Sequence, residues 1–123
     1  MTDRKIIIAD TDEQVLQELK EGLEKDGFIV STTTDAHGLV SSATAQPSIL
    51  VVNPDMKGFN AYDICKKVKR EGNIPVVLLM DTNSTTRAQI DECIPDDVVT
   101  KPVKIDNLAN LLRKHYTVTS NTK

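Results

Sequence analysis

Aromatic residues, cysteines and long apolar runs are scarce in this chain of 123 residues. Tryptophan is absent, and the aromatic side chains are limited to Phe28, Phe59, Tyr62 and Tyr116. They are too few and too scattered for a platform that stacks nucleic-acid bases. The formal net charge of -3 also argues against the basic face that a nucleic-acid groove needs. We therefore predict no nucleic-acid partner for this domain.

Membrane-spanning and export signals are missing as well. No apolar stretch approaches the roughly 20 residues that cross a bilayer. The first residues, "MTDRKIII", have neither the long apolar segment nor the small-residue cleavage site of a signal peptide. We therefore expect a cytoplasmic protein that makes no membrane contact.

Cysteine and histidine do not form a recognisable motif. Cys65 and Cys93 lie far apart without a CxxC pattern, which disfavours a zinc site or a disulfide framework. His37 and His115 have no acid, serine or cysteine beside them in a motif, so we interpret both as surface histidines rather than catalytic groups.

Short apolar runs, in contrast, recur along the whole chain. They are continuous or β-branched, as is typical of parallel strands that are covered on both faces. Five strands are predicted: "KIIIAD" (5–10), "FIVSTTT" (28–34), "SILVVN" (48–53), "IPVVLLM" (74–80) and "DVVT" (97–100).

A helical pattern follows each of these runs. The first helix begins near Asp12, which we expect to cap it, and ends near Gly27. The residues predicted to face inward on the first and last helices are Val15, Leu19, Leu23, Ile105, Leu108, Leu111 and Leu112. Five strand–helix units with short links predict one α/β domain with a doubly wound parallel sheet and helices on both faces. We place that domain at residues 1–116 and interpret residues 117–123 as a polar tail, either a disordered end or the start of a linker.

In such a sheet the working site lies at the carboxyl ends of the strands. Acids from some strand ends there face a lysine from another, which suits a phosphoryl group or a hard cation. The strand ends are Asp10-Thr11-Asp12, Asn53-Pro54-Asp55, Met80-Asp81 and Thr100-Lys101-Pro102.

Four segments, in this order and spacing, form a more specific pattern: "KIIIAD", "PSILVVNPDMKGFNAYD", "IPVVLLM" and "DDVVTKPV". From about Lys5 to His115 the chain resembles the receiver domain of response regulators, the CheY-like family of the flavodoxin-like fold. The resemblance implies five strands in the order 2-1-3-4-5. It also implies a role in two-component phosphorelay signalling, with no enzyme activity of its own.

The resemblance assigns the phosphorylation pocket as well. In the family, two acids after strand one and an aspartate after strand three bind Mg²⁺, and that aspartate accepts a phosphoryl group from a histidine kinase. Asp10 stands at the first acid, but Thr11 replaces the second and Asn53 replaces the phosphoacceptor. An amide is not a carboxylate nucleophile, so no acyl phosphate forms at Asn53.

The positions that respond to phosphorylation in the family are also altered. In the family a Thr or Ser after strand four and an aromatic residue on strand five respond to phosphorylation. Met80 occupies the position of this switch hydroxyl, and Val98 occupies the position of this switch aromatic. The lysine that contacts the phosphoryl group is retained as Lys101, and Pro102 follows it in a bond that is usually cis in the family.

These replacements change the charge balance expected of the pocket. Unit charges about 4 Å apart interact by roughly 4 kcal/mol at an effective dielectric near 20, so three clustered carboxylates need a cation. With two acids replaced, Asp10 and Lys101 can neutralise each other and Asn53 can bridge them as donor and acceptor. We predict no cofactor and weak or absent Mg²⁺ binding. If a metal did bind, Asp10 and the backbone carbonyl of Asp55 are the candidate ligands.

Three functions remain open. The favoured one is a pseudo-receiver that binds protein partners without phosphorylation. The second is an active phosphoacceptor that uses Asp55 or Asp10. The third is a flavodoxin-like binder of a small ligand, which is disfavoured because "DTDEQ" after strand one would repel an anion.

The partner surface is assigned by analogy with the family alone. The face formed by the fourth helix, the fifth strand and the fifth helix often makes such contacts. In this chain we expect it to present Arg87, Gln89, Val99, Asn107 and Arg113. We also keep open a covalent fusion to a further domain after Lys123.

Overall fold

The computed structural model describes residues 5–34, 49–54, 74–80 and 96–121. The strands are β1 (Lys5–Ala9), β2 (Ile29–Thr33), β3 (Ile49–Val52), β4 (Val76–Met80) and β5 (Asp97–Thr100). The helices are α1 (Glu13–Lys25) and α2 (Ile105–Asn121). The second, third and fourth predicted helices lie outside the described residues, as do His37, Asp55, Cys65, Arg87, Gln89 and Cys93.

The five strands form one parallel sheet in the order β2-β1-β3-β4-β5. This confirms the predicted fold class and strand order. Every residue of β3 and β4 is buried, as expected for central strands that are covered on both faces. The order leaves β2 and β5 at the two edges of the sheet.

Both described helices pack against the sheet through a leucine stripe. On α1 the buried residues are Leu16, Leu19 and Leu23. Leu108 and Leu112 of α2 join the same hydrophobic cluster. Val15, predicted to face inward, is partly buried and packs against the same cluster. The prediction omitted Leu16, which is the first fully buried residue of a stripe with i, i+3, i+7 spacing.

The ends of α1 follow the predicted capping residues. Asp12 is the N-cap, and its side chain accepts hydrogen bonds from the backbone N–H groups of Gln14 and Val15. At the other end Gly27 adopts a φ of 94°, the left-handed conformation that favours glycine, and its N–H donates to the Glu24 carbonyl. This end turns the chain into β2.

The last helix is longer than the sequence predicts. α2 continues to Asn121, through most of the segment that we interpreted as a polar tail. No glycine or proline interrupts residues 105–121, and Thr, Ser and Asn cost a helix at most about 0.7 kcal/mol each relative to alanine. The segment is therefore helical to Asn121, while the division of the chain at residue 116 stays a prediction. Neither described helix is long and apolar enough to cross a membrane.

Candidate functional site

Polar side chains project from the ends of three strands at the carboxyl edge of the sheet. Asp10 follows β1, Asn53 follows β3 and Lys101 follows β5. Each of these residues is tied to the adjacent strand by its own backbone N–H, so the sheet fixes where its side chain begins. The bonds run from Asp10 N to Thr33 O (3.2 Å), from Asn53 N to Ala9 O (2.8 Å) and from Lys101 N to Met80 O (2.9 Å).

Asp10 is the centre of this cluster and is fully buried. Its Oδ2 atom lies 2.7 Å from Nζ of Lys101. Its Oδ1 atom accepts hydrogen bonds from Nδ2 of Asn53 at 3.3 Å and from the backbone N–H of Asp12 at 3.1 Å. The contact with Lys101 is an ion pair rather than a directional hydrogen bond, since no donor among the described residues meets Oδ2 with hydrogen-bond geometry.

Among the described residues of this cluster, the charges of Asp10 and Lys101 balance. The side chain of Asp10 is 1% exposed and that of Lys101 is 16% exposed, so the pair is largely removed from water. A buried ion pair is tolerated when further hydrogen bonds satisfy its remaining atoms. Asn53 and the backbone of Asp12 supply such bonds to Oδ1. Of the residues predicted for the pocket, the structure brings Asn53 and Lys101 into contact with Asp10.

The other predicted pocket residues occupy different environments. Thr11 is exposed at the turn before α1. Met80 ends β4 and is buried, with 6% of its surface exposed. Val98, on β5, is 41% exposed. The peptide bond between Lys101 and Pro102 is cis.

The donors that the described residues supply at this edge do not by themselves fit a Mg²⁺ ion. Mg²⁺ prefers an octahedral shell of oxygen ligands with one or two carboxylates. Among the described residues the buried carboxylate is that of Asp10, which already contacts the ammonium of Lys101. The neighbouring Asn53 turns its N–H group toward that carboxylate. Within the described part of the chain, no three acidic, histidine or cysteine side chains group together around a possible metal position.

One histidine prediction was wrong. His115, expected at the surface without an acid partner, has a side chain that is only 14% exposed. Its Nε2 atom lies 3.2 Å from Oδ2 of Asp97 at the start of β5. The two residues are 18 positions apart, so no local sequence pattern indicates the contact.

The structure describes three residues of the expected partner surface, which itself stays a prediction. Val99 packs against the hydrophobic core, while the adjacent Val98 is exposed, because successive side chains of a strand point to opposite faces. Arg113 lies 3.5 Å from the carboxylate of Asp26, just after α1, so its charge sits at the junction of α1 and α2. Asn107 is exposed as predicted.

Comparison with known proteins identifies the family. The model of the response regulator receiver domain matches residues 6–113. The chain belongs to this family. Receiver domains are signalling modules that interact with kinases and effector domains, and the chain is accordingly a receiver domain of two-component signalling.

Individual relatives agree with this assignment. Transcriptional regulatory protein CseB of Streptomyces coelicolor is 29% identical over 105 residues, which cover 83% of this chain and 45% of CseB. Response regulator RR06 of Streptococcus pneumoniae is 24% identical over 119 residues, 92% of this chain and 55% of RR06. The receiver domain chain spans about half the length of these curated relatives.

A solved structure shows the same fold. The response regulator receiver domain protein of Clostridium thermocellum superposes with a TM-score of 0.83 at 20% identity, covering 94% of this chain and 96% of that one. At this level of identity the likeness concerns the fold alone.

Proposed function

We propose that this domain is a pseudo-receiver, which signals through protein contacts without taking a phosphoryl group. One observation carries the proposal: Asn53, at the position of the family's phosphoacceptor, donates a hydrogen bond to the buried Asp10. The amide is used as a structural donor, and it offers no carboxylate oxygen that could attack phosphorus.

The position of Lys101 supports the same proposal. In the family this lysine contacts the phosphoryl group, whereas here its ammonium lies 2.7 Å from Asp10. Recruiting it to a phosphoryl group would separate a largely buried ion pair, which is costly because the remaining carboxylate stays out of water. We infer that the pocket is stable in one arrangement, with weak or no Mg²⁺ binding.

Asp10 and Asp55 are the two alternative phosphoacceptors. Asp10 is fully buried and paired with Lys101, which disfavours attack on an external phosphodonor. Asp55 lies outside the described residues, so its role is tested by phosphotransfer to the Asp55→Ala variant.

The remaining parts of the proposal concern the cellular setting. We propose a cytoplasmic module with no enzyme activity, whose partners are proteins that recognise its unphosphorylated surface. We further propose that a covalently attached domain after Lys123 is one candidate for such a partner, since relatives such as CseB are about twice as long as the matched region.

Phosphotransfer from a small donor tests the proposal. Wild-type protein is incubated with Mg²⁺ and acetyl phosphate, and its intact mass is measured. We expect no phosphoryl adduct on wild type. The double variant Asn53→Asp/Thr11→Asp restores both missing acids and serves as the positive control, for which we expect an adduct.

An adduct on wild-type protein would contradict the proposal. Comparison with Asp55→Ala and Asp10→Ala would then locate it: loss of the adduct in one of these variants would establish an active receiver with a displaced phosphoacceptor.

A further inference from the structure

The outer edge of β2 presents main-chain groups that follow a simple alternation. Among the described strands, β2 lies at the edge of the sheet and pairs with β1 alone. The carbonyl of Thr33 accepts from Asp10 and therefore faces the sheet. In a parallel ladder alternate residues of a strand bond to the same neighbour, so the N–H and carbonyl groups of Val30 and Thr32 face outward.

Lys20 of α1 covers one of these outward groups. Its Nζ atom donates to the Val30 carbonyl at 2.9 Å, and the same ammonium lies 3.0 Å from a carboxylate oxygen of Glu24. The carbonyl of Val30 is therefore occupied by a side chain of its own chain. By the same alternation, the N–H of Val30 and both main-chain groups of Thr32 point away from β1, on the side of β2 where the structure describes no further strand.

The composition of this edge fits a second copy of itself. The segment "FIVSTTT" carries no charge and no proline, and the side chain of Ile29 is 52% exposed. An uncharged, β-branched edge strand is a template for pairing with another strand, and proteins often blunt such an edge with a lysine. Because the segment has no charge, two antiparallel copies meet without like-charge repulsion.

We propose that the edge of β2 is a self-pairing surface for a second copy of this chain, and that Lys20 holds it closed. An antiparallel pair centred on Ser31 places Val30 opposite Thr32 of the second copy, and Thr32 opposite Val30. Opposed residues of this type exchange both of their main-chain hydrogen bonds. Half of the bonds in that ladder use the Val30 carbonyl, which Lys20 occupies in the single chain.

The proposed pairing also gives the exposed side chain of Ile29 a neighbour in the second copy. In the same register Ile29 lies opposite Thr33 of the second copy, on the face that Ser31 shares. An aliphatic side chain that is half exposed in the single chain thus gains a β-branched neighbour across the new ladder.

Sedimentation over a range of protein concentrations tests the proposal with Lys20→Ala. Removing the ammonium exposes the Val30 carbonyl, so we expect the dimer dissociation constant to fall by about tenfold or more relative to wild type. Two controls keep Lys20 in place. Lys25→Ala removes an equal charge from the same helix, and Glu24→Gln removes the ion-pair partner of Lys20. We expect the dimer dissociation constant of both variants to equal that of wild type.

A second substitution decides which edge is responsible. Ser31 lies opposite its own copy in the proposed pair, so Ser31→Lys places like charges directly across the ladder. Because Ser31 is exposed, this change leaves the fold intact. We expect Lys20→Ala/Ser31→Lys to return to the wild-type dissociation constant. An unchanged constant in Lys20→Ala, or dimers that persist in the double variant, would overturn the proposal.

Discussion

Asp10 is a buried carboxyl group at the edge of the sheet, and its neighbours determine how a charge there is tolerated. Lys101 supplies the countercharge, while Asn53 and the backbone of Asp12 donate to the other carboxylate oxygen. In a pocket with three acids, removing one charge would relieve repulsion. Among the described residues Asp10 and Lys101 are charge partners, so removing either one is expected to cost stability.

The two halves of the ion pair should differ in that cost. Lys101→Met leaves the carboxylate of Asp10 buried beside an apolar side chain, and we expect a loss of about 3 kcal/mol in the free energy of unfolding. Asp10→Asn should cost less, because the long side chain of Lys101, 16% exposed, can turn its ammonium toward water. Urea denaturation measures both changes.

A matched control for these variants is Lys114→Met. Lys114 also pairs with an aspartate, at 3.3 Å from Asp97, but its side chain is 63% exposed. Such a pair contributes little, so a change of at most about 0.5 kcal/mol is expected. If Lys101→Met cost no more than Lys114→Met, the ion pair would not be what stabilises the pocket.

Asn53→Asp tests the donor role of the amide. The substitution replaces a hydrogen-bond donor 3.3 Å from Asp10 with a second carboxylate, and like charges at this range repel by roughly 4 kcal/mol at an effective dielectric near 20. Without divalent cations we expect unfolding free energy to fall by about 2 to 4 kcal/mol, with partial recovery when Mg²⁺ is added. The exposed Asn110→Asp is the control, expected to change stability by at most about 0.5 kcal/mol. A variant as stable as wild type without Mg²⁺ would be evidence against the proposed arrangement.

At the scale of elements, α1 and α2 are closely packed against each other at Gly22. A Cβ atom at Gly22 of α1 would lie 2.8 Å from the side chain of Ile105, the first residue of α2. We expect Gly22→Ala to destabilise by about 1 kcal/mol, because overpacking costs about 1 to 3 kcal/mol and the gain in helix propensity is only about 1 kcal/mol. Thermal unfolding of Gly22→Ala, Ile105→Ala and the double variant measures this coupling.

In the double variant the clash is absent, so its cost should be lower than the sum of the two single costs by about 1 kcal/mol. A stabilised Gly22→Ala would show that α2 moves away freely and that the two helices are not closely packed.

Sequence reasoning located most elements because strand and helix signals are local. β5 was predicted at its observed bounds, and the others within two residues at the strand ends. The Asp12 cap and the turn at Gly27 were predictable because each depends on the chemistry of one residue. The end of α2 was not, since residues 117–121 are polar and yet contain nothing that stops a helix.

Contacts between distant residues were predictable only where topology forces them together. The cluster of Asp10, Asn53 and Lys101 follows from the rule that strand ends of a parallel sheet share one edge. The contact of His115 with Asp97, and that of Lys20 with the Val30 carbonyl, depend on how each helix is rotated and placed on the sheet. No spacing in the sequence determines that placement.

At the scale of the whole molecule, the domain keeps the receiver fold, and Lys101 and Asn53 contact Asp10 at its carboxyl edge. The sheet order, the carboxyl-edge site and the retained Lys101 belong to the family pattern. The proposed loss of phosphorylation leaves the fold available as a protein-binding surface. As a pseudo-receiver, the domain is proposed to bind neither Mg²⁺ nor a phosphoryl group in this pocket.

Titration with Mg²⁺ and beryllofluoride, a mimic of the phosphoryl group, tests that claim most directly. A ligand at 100 times its dissociation constant stabilises a protein by about 2.7 kcal/mol, which is readily seen in a melting temperature and in amide spectra. For wild-type protein we predict no change in melting temperature and no shift of the amide signals of Asp10, Asn53 and Lys101. A clear rise in melting temperature, with shifts at these three residues, would contradict the account.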